Sequence, residues 1–204
     1  MTLCEPGSSG SARLRLTVVS GPSGVGKSSV VAEVLRCCPQ LFLSVSVTTR
    51  PPRCGERPDE HYHHVDRATF ASMIERGEFL EHAEYAGNFY GTLAAPVRQA
   101  LAAGRPTLLE IEVQGARQVR AAMSDALLVM LVPPSWEVLH GRLSHRGTED
   151  PAARERRLRV AKDELDAVGE FDAAVVNDDV HRAARELISL MVGTGRRTSP
   201  PLLP

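Results

Sequence analysis

The chain has 204 residues, 43% of them hydrophobic and 24% charged, with a formal net charge of −1 at pH 7. That length suits one domain with a sizeable core, and so even a charge balance excludes bulk attraction to nucleic acid or to an anionic membrane. Function therefore has to be sought in local sites, and with Lys27 and Lys162 the only lysines among 24 basic residues, a lysine carries more information here than an arginine.

Residues 1–14 are Gly/Ser-rich, contain no apolar stretch and read as a flexible arm rather than a signal peptide. Residues 15–193 form the expected domain, and the Gly/Pro-containing residues 194–204 are expected to be a flexible tail. No run reaches membrane-spanning length, so the cytoplasm is the expected location. The four cysteines, Cys4, Cys37, Cys38 and Cys54, show neither C-x-x-C nor zinc-like spacing. They read as spectators in a reducing compartment.

In chain order, apolar runs predict strands at 16–20, 43–47, 107–113, 127–132 and 173–177. Helical patterns fit 28–36, 94–103, 116–123, 136–143, 155–168 and 181–192. This alternation predicts an α/β fold, a parallel sheet flanked by helices. Residues 48–91 break the alternation and read as a small strand-rich insertion with one helix at 69–76. Polar residues 144–154, with Gly147 and Pro151, read as a mobile lid.

The first predicted strand runs into Gly21-x-x-x-x-Gly26-Lys27-Ser28, the spacing of a phosphate-binding loop, or P-loop. Gly21, Gly24 and Gly26 let successive N–H groups point inward, and the following helix adds its positive end. Gly21, Ser23, Gly24, Val25, Gly26, Lys27, Ser28 and Ser29 are thus the expected polyphosphate cradle. Lys27 would reach the β- and γ-phosphates, and the Ser28 hydroxyl would be a ligand to Mg²⁺. A second anion site is suggested by Arg50 and Arg53 flanking a Pro-Pro bend, with Tyr62 and Tyr90 as hydroxyl donors.

The loop "SGPSGVGKSS", the segment "TTRPPRCGE" with the following Tyr62, and "GEFLEHAEYAGNFYGT", "LLEIEVQGA", "RGTE" and "VVND" stand in one order and spacing over about residues 16–192. In this the chain resembles the guanylate kinase family, P-loop nucleoside monophosphate kinases. The resemblance implies a core (15–47 and 92–193), a GMP-binding subdomain (about 48–91) and a lid (about 142–157) closing over ATP and GMP. It aligns Ser46, Arg50, Arg53, Tyr62, Glu81, Tyr90, Thr92 and Glu110 with GMP contacts. It aligns Arg142, Arg146 and Arg157 with phosphate-stabilising arginines that join Lys27 in catalysis, and Asn177 with the adenine end of ATP. The implied activity is Mg-dependent transfer of the ATP γ-phosphoryl group to GMP, and to dGMP.

Guanine chemistry fits that set. One carboxylate such as Glu81 accepts from both N1–H and N2–H₂, and a hydroxyl such as Ser46 or Thr92 satisfies O6. Adenine would leave the carboxylate unpaired. Two features depart from the family pattern: glutamates at 110 and 112 where aspartates are common, and His63 and His64 after the tyrosine. Two rival functions share the fold. A ribose-bisphosphate kinase-like enzyme would not need Glu81 with Ser46 and Thr92, and a non-catalytic protein-binding module would not need an intact loop.

Overall fold

The computed structural model describes residues 15–53, 55–57, 61–85, 87–144 and 151–193. Arg146, the centre of the expected lid, the arm and the tail lie outside the described residues.

A five-stranded parallel sheet forms the core, built from β1 (Leu16–Ser20), β2 (Phe42–Leu43), β7 (Thr107–Glu110), β8 (Leu127–Val132) and β9 (Ala173–Val176) in the order β2-β7-β1-β8-β9. Every residue of β1 and β8 is buried, the reason these strands read as continuous apolar runs. Alternate residues of β8 serve two cores. Leu128, Met130 and Val132 pack with α3 (Ala94–Ala102), α4 (Val113–Ala122), α5 (Trp136–Ser144) and α6 (Pro151–Asp166). Leu127, Val129 and Leu131 pack with α1 (Lys27–Cys37) and α7 (Val180–Met191) on the other face.

A second sheet, in the order β4-β3-β6-β5, comprises β3 (Ser46–Thr48), β4 (Tyr62–His64), β5 (Phe79–Tyr85) and β6 (Asn88–Leu93). One of its faces packs on α2 (Arg67–Glu75), where Phe70 stacks on Phe79 and Phe89 with centroids 4.6 and 5.5 Å apart, beside Val47 and Met73. Asp66 caps α2 by accepting from Thr69 N–H at 2.6 Å.

Three expectations are corrected in detail. The strand predicted at 43–47 is two strands: Phe42 and Leu43 pair with β7, and Ser46 onward joins the second sheet. The strand predicted at 107–113 stops at Glu110, because Glu112 takes the N-cap position of α4 and the helix begins at Val113. Of the adjacent cysteines at the end of α1, Cys37 is a free thiol whereas buried Cys38 is disulfide-bonded, so the reading of all four as spectators fails at Cys38.

The aromatic cluster beneath the second sheet is small, so Phe70→Ala should remove about 3–5 kcal/mol of packing there. Hydrogen exchange should then quicken across residues 46–93 while the amides of β1 and β8 keep their protection. Uniform loss of protection would mean that the second sheet has no stability of its own.

Candidate active site

Gly21, Gly24 and Gly26 all adopt positive φ, at 147°, 82° and 96°. Gly26 also precedes Lys27 as the cap of α1, where a Cβ would fall 2.5 Å from Asn177 Nδ2. Lys27 Nζ donates to Gly21 O at 2.5 Å and lies 3.5 Å from Glu112 Oε2. The ammonium thus stands at the mouth of the loop, between a backbone carbonyl and a carboxylate.

The loop is strapped from behind. Asn177, 3% exposed, donates from Nδ2 to Val25 O at 2.7 Å, and Arg142 donates to Val25 O at 3.1 Å and to Asn177 O at 3.2 Å. Because Asn177 follows β9 and Arg142 lies in the last turn of α5, two distant parts of the core hold one loop carbonyl.

Three carboxylates face this loop. Ser28 donates its hydroxyl to Glu110 Oε1 at 2.8 Å. Burial pushes the Glu110 carboxyl above its ordinary range, against the Ser28 hydrogen bond and the charge of Lys27. On α6, burial and then the hydrogen bond and charge of Glu112 push Glu164 up to about 8, while Lys27 and the backbone N–H of Ser23 favour its ionised form.

Beside the loop, the second sheet opens its other face onto a cavity of ≈240 Å³. Period-two alternation decides which residues line it: Glu81, Ala83 and Tyr85 from β5, Tyr90 from β6, Tyr62 from β4 and Ser46 from β3. Arg50, Arg53, Glu110, Ile111, Glu112 and Gly115 complete the wall. At one end the Tyr62 and Tyr90 rings meet edge to face at 6.0 Å, and the Arg50 guanidinium lies 5.3 Å from the Tyr62 ring centroid. Glu56 bonds that guanidinium at 2.6 Å and accepts from Arg53 N–H at 2.8 Å, which folds the Pro-Pro segment over the cavity. At the other end Glu81 is 6% exposed and accepts from Thr92 Oγ1 at 2.6 Å. Burial pushes its carboxyl up and the Thr92 hydrogen bond opposes the shift.

A family model described as Guanylate kinase matches residues 13–193. The chain belongs to the guanylate kinase family. It is 55% identical over 187 residues to a guanylate kinase of Thermobifida fusca, covering 92% of this chain and 95% of that one. It is 56% identical over 181 residues to one of Streptomyces kasugaensis, covering 89% and 88%. The crystal structure of guanylate kinase from Anaplasma phagocytophilum superposes with a TM-score of 0.72 at 30% identity, covering 93% and 90%.

Of the eight residues aligned with the family's GMP contacts, seven line the cavity, and Thr92 reaches it through Glu81. Arg157, on α6, lies near enough to Tyr85 at the cavity rim to act on its hydroxyl electrostatically. Arg142 and Asn177 lie on the backbone of the loop. Sequence reasoning missed Ala83, Tyr85, Ile111, Gly115, Glu56 and Glu164. Ala83 and Tyr85 follow from Glu81 by strand alternation; nothing in the helical pattern of α6 marked Glu164.

Asn177→Ala removes a buried donor from Val25 O while leaving Arg142 in place. It should cost about 1–3 kcal/mol, read as a lower urea midpoint at unchanged slope. An unchanged midpoint would show that Arg142 alone holds the loop.

Proposed function

We infer that the chain is a guanylate kinase that transfers the γ-phosphoryl group of ATP to GMP, giving ADP and GDP. The observation that carries this reading is the position of Glu110, which lines the acceptor cavity and accepts from Ser28 of the phosphate loop. A donor held by the loop and an acceptor held in the cavity would thus meet at one carboxylate. In this reading GMP lies with its phosphate toward Arg50, Arg53, Tyr62 and Tyr90 and its base toward Glu81, Thr92 and Ser46. This reading includes dGMP as a second acceptor.

The attacking group is a phosphate oxygen already anionic at neutral pH, so no general base is needed. Catalysis rests on positioning and on charge stabilisation, with Lys27 and the arginines Arg142, Arg146 and Arg157 offsetting charge on the transferring group. The oxygen donors of Ser28 and Glu110, 2.8 Å apart, suit a hard cation, so these residues would hold Mg²⁺. When bound, Mg²⁺ supplies charge neutralisation at the phosphates. Asn177 keeps the loop shaped for the donor, and its link to the adenine end of ATP rests on the family alignment. Closure of a lid across residues 142–157 excludes water, which would otherwise accept the phosphoryl group.

Work in the cytoplasm belongs to the same proposal, and no helix among the described residues is long and apolar enough to cross a membrane. The intact loop and the buried Glu81 leave no specific support for a sugar-phosphate kinase or for a binding module without catalysis.

The test is ADP release with ATP, Mg²⁺ and a panel of GMP, dGMP, AMP, CMP, UMP and ribose phosphates. Turnover should be confined to GMP and dGMP, and Lys27→Ala should lower kcat about a hundredfold or more. Turnover of a ribose phosphate, or none from folded protein, would overturn the reading.

A further inference from the structure

Glu81 owes its position to a helix of the other layer. β5 is an edge strand of the second sheet, so the N–H and C=O groups it does not give to β6 need partners elsewhere. At His82, the residue after Glu81, both are taken by one side chain of α4. Gln118 accepts from His82 N–H at 3.1 Å and donates to His82 O at 2.8 Å, as a neighbouring strand would.

One turn earlier on the same face of α4 stands Gly115. A Cβ there would lie 2.6 Å from Glu81 Oε2 and 3.1 Å from Glu81 Cδ. Gly115 lies inside the helix and is not among the positive-φ glycines, so the backbone does not require glycine at this position. Alanine would suit the helix better. What crowds a side chain here is the end of the Glu81 side chain, with Ile111 Cδ1 also at 3.2 Å, so a methyl group is admitted only if the carboxylate shifts.

We propose that Gly115 and Gln118 are positioning residues for base recognition, Gly115 setting how far the Glu81 carboxylate withdraws and Gln118 fixing β5 against α4. The proposal rests on the guanylate kinase reading and adds to it the device that sets purine discrimination. Guanine presents N1–H and N2–H₂ side by side, and a carboxylate meets both only with its two oxygens level. A methyl group at position 115 displaces Oε2, so one of the paired contacts fails. A purine without the 2-amino group makes only one of those contacts and loses less.

The experiment is steady-state kinetics of wild type, Gly115→Ala and Gln118→Ala with GMP, with IMP, which lacks the 2-amino group, and with ATP as the varied substrates. Gly115→Ala should raise KM for GMP about tenfold and reduce the GMP-over-IMP ratio of kcat/KM by a similar factor. KM for ATP should stay within about twofold, since the phosphate loop is untouched. Gln118→Ala, away from the cavity wall, should shift the same parameters in the same direction. Adding Glu81→Asp to Gly115→Ala shortens the carboxylate by one methylene and should restore part of the discrimination, although Glu81→Asp alone lowers it. Unchanged GMP kinetics in both variants, equal losses for GMP, IMP and ATP, or additive losses in the double variant would overturn the proposal. Wild-type protein inert toward GMP would instead remove the reading beneath it, an outcome separable from all of these.

Discussion

A carboxylate taken out of water has to be repaid by hydrogen bonds or by charge, and Glu81 is held with the Thr92 hydroxyl as its hydrogen-bond partner. Among the described residues no cationic side chain pairs with it, and burial raises its pKa accordingly. A group in that condition has unused acceptor capacity aimed into a cavity. Guanine supplies two adjacent donors, whereas adenine, with an unprotonated N1 and no 2-amino group, would leave the carboxylate desolvated and unpaired. Much of the second sheet serves this arrangement: β6 brings Thr92, β5 brings Glu81 itself, and α4 comes close enough to fix both the strand and the carboxylate.

The phosphate loop poses the opposite problem, a ring of backbone donors at a helix N-terminus with acidic groups close by. Lys27 lies between Gly21 O and Glu112, Glu110 accepts from Ser28, and burial, then the neighbouring Glu112, pushes the Glu164 carboxyl up. Each acidic group is thus matched by a donor or a cation, or is pushed toward its neutral form. The loop keeps its shape through Asn177 and Arg142, both acting on the carbonyl of Val25. The glycine-rich loop and the cavity share a wall because β1 and β7 are neighbours and their carboxyl ends deliver the loop and Glu110 side by side.

Much of this was legible in the sequence, for physical reasons. Strands buried on both faces, such as β1 and β8, announce themselves as unbroken apolar runs, and the glycine spacing of the loop has few other uses. The strand expected at 43–47 divides in two because apolarity marks a strand without saying which sheet it joins. The chain leaves the core after Leu43 and enters the second sheet at Ser46 within one continuous run. At 107–113 the alternation in "LLEIEV" mimics a strand, but Glu112 leaves the sheet to cap a helix. The roles of Gly115, Gln118 and Glu164 could not be read from spacing at all. They arise from contacts between α4 and β5, and between α6 and the loop, that exist only once the layers have packed.

The most direct test of the account is the affinity of GMP for wild type and for Glu81→Gln, measured by calorimetry at neutral pH without ATP. The substitution keeps the volume of the side chain and replaces one acceptor with a donor that faces the guanine donors. The account predicts binding weakened about a hundredfold or more, with the thermal midpoint of the unliganded protein maintained or raised because a buried charge is gone. A GMP affinity equal to that of wild type would contradict it, and would mean that some other group reads the base.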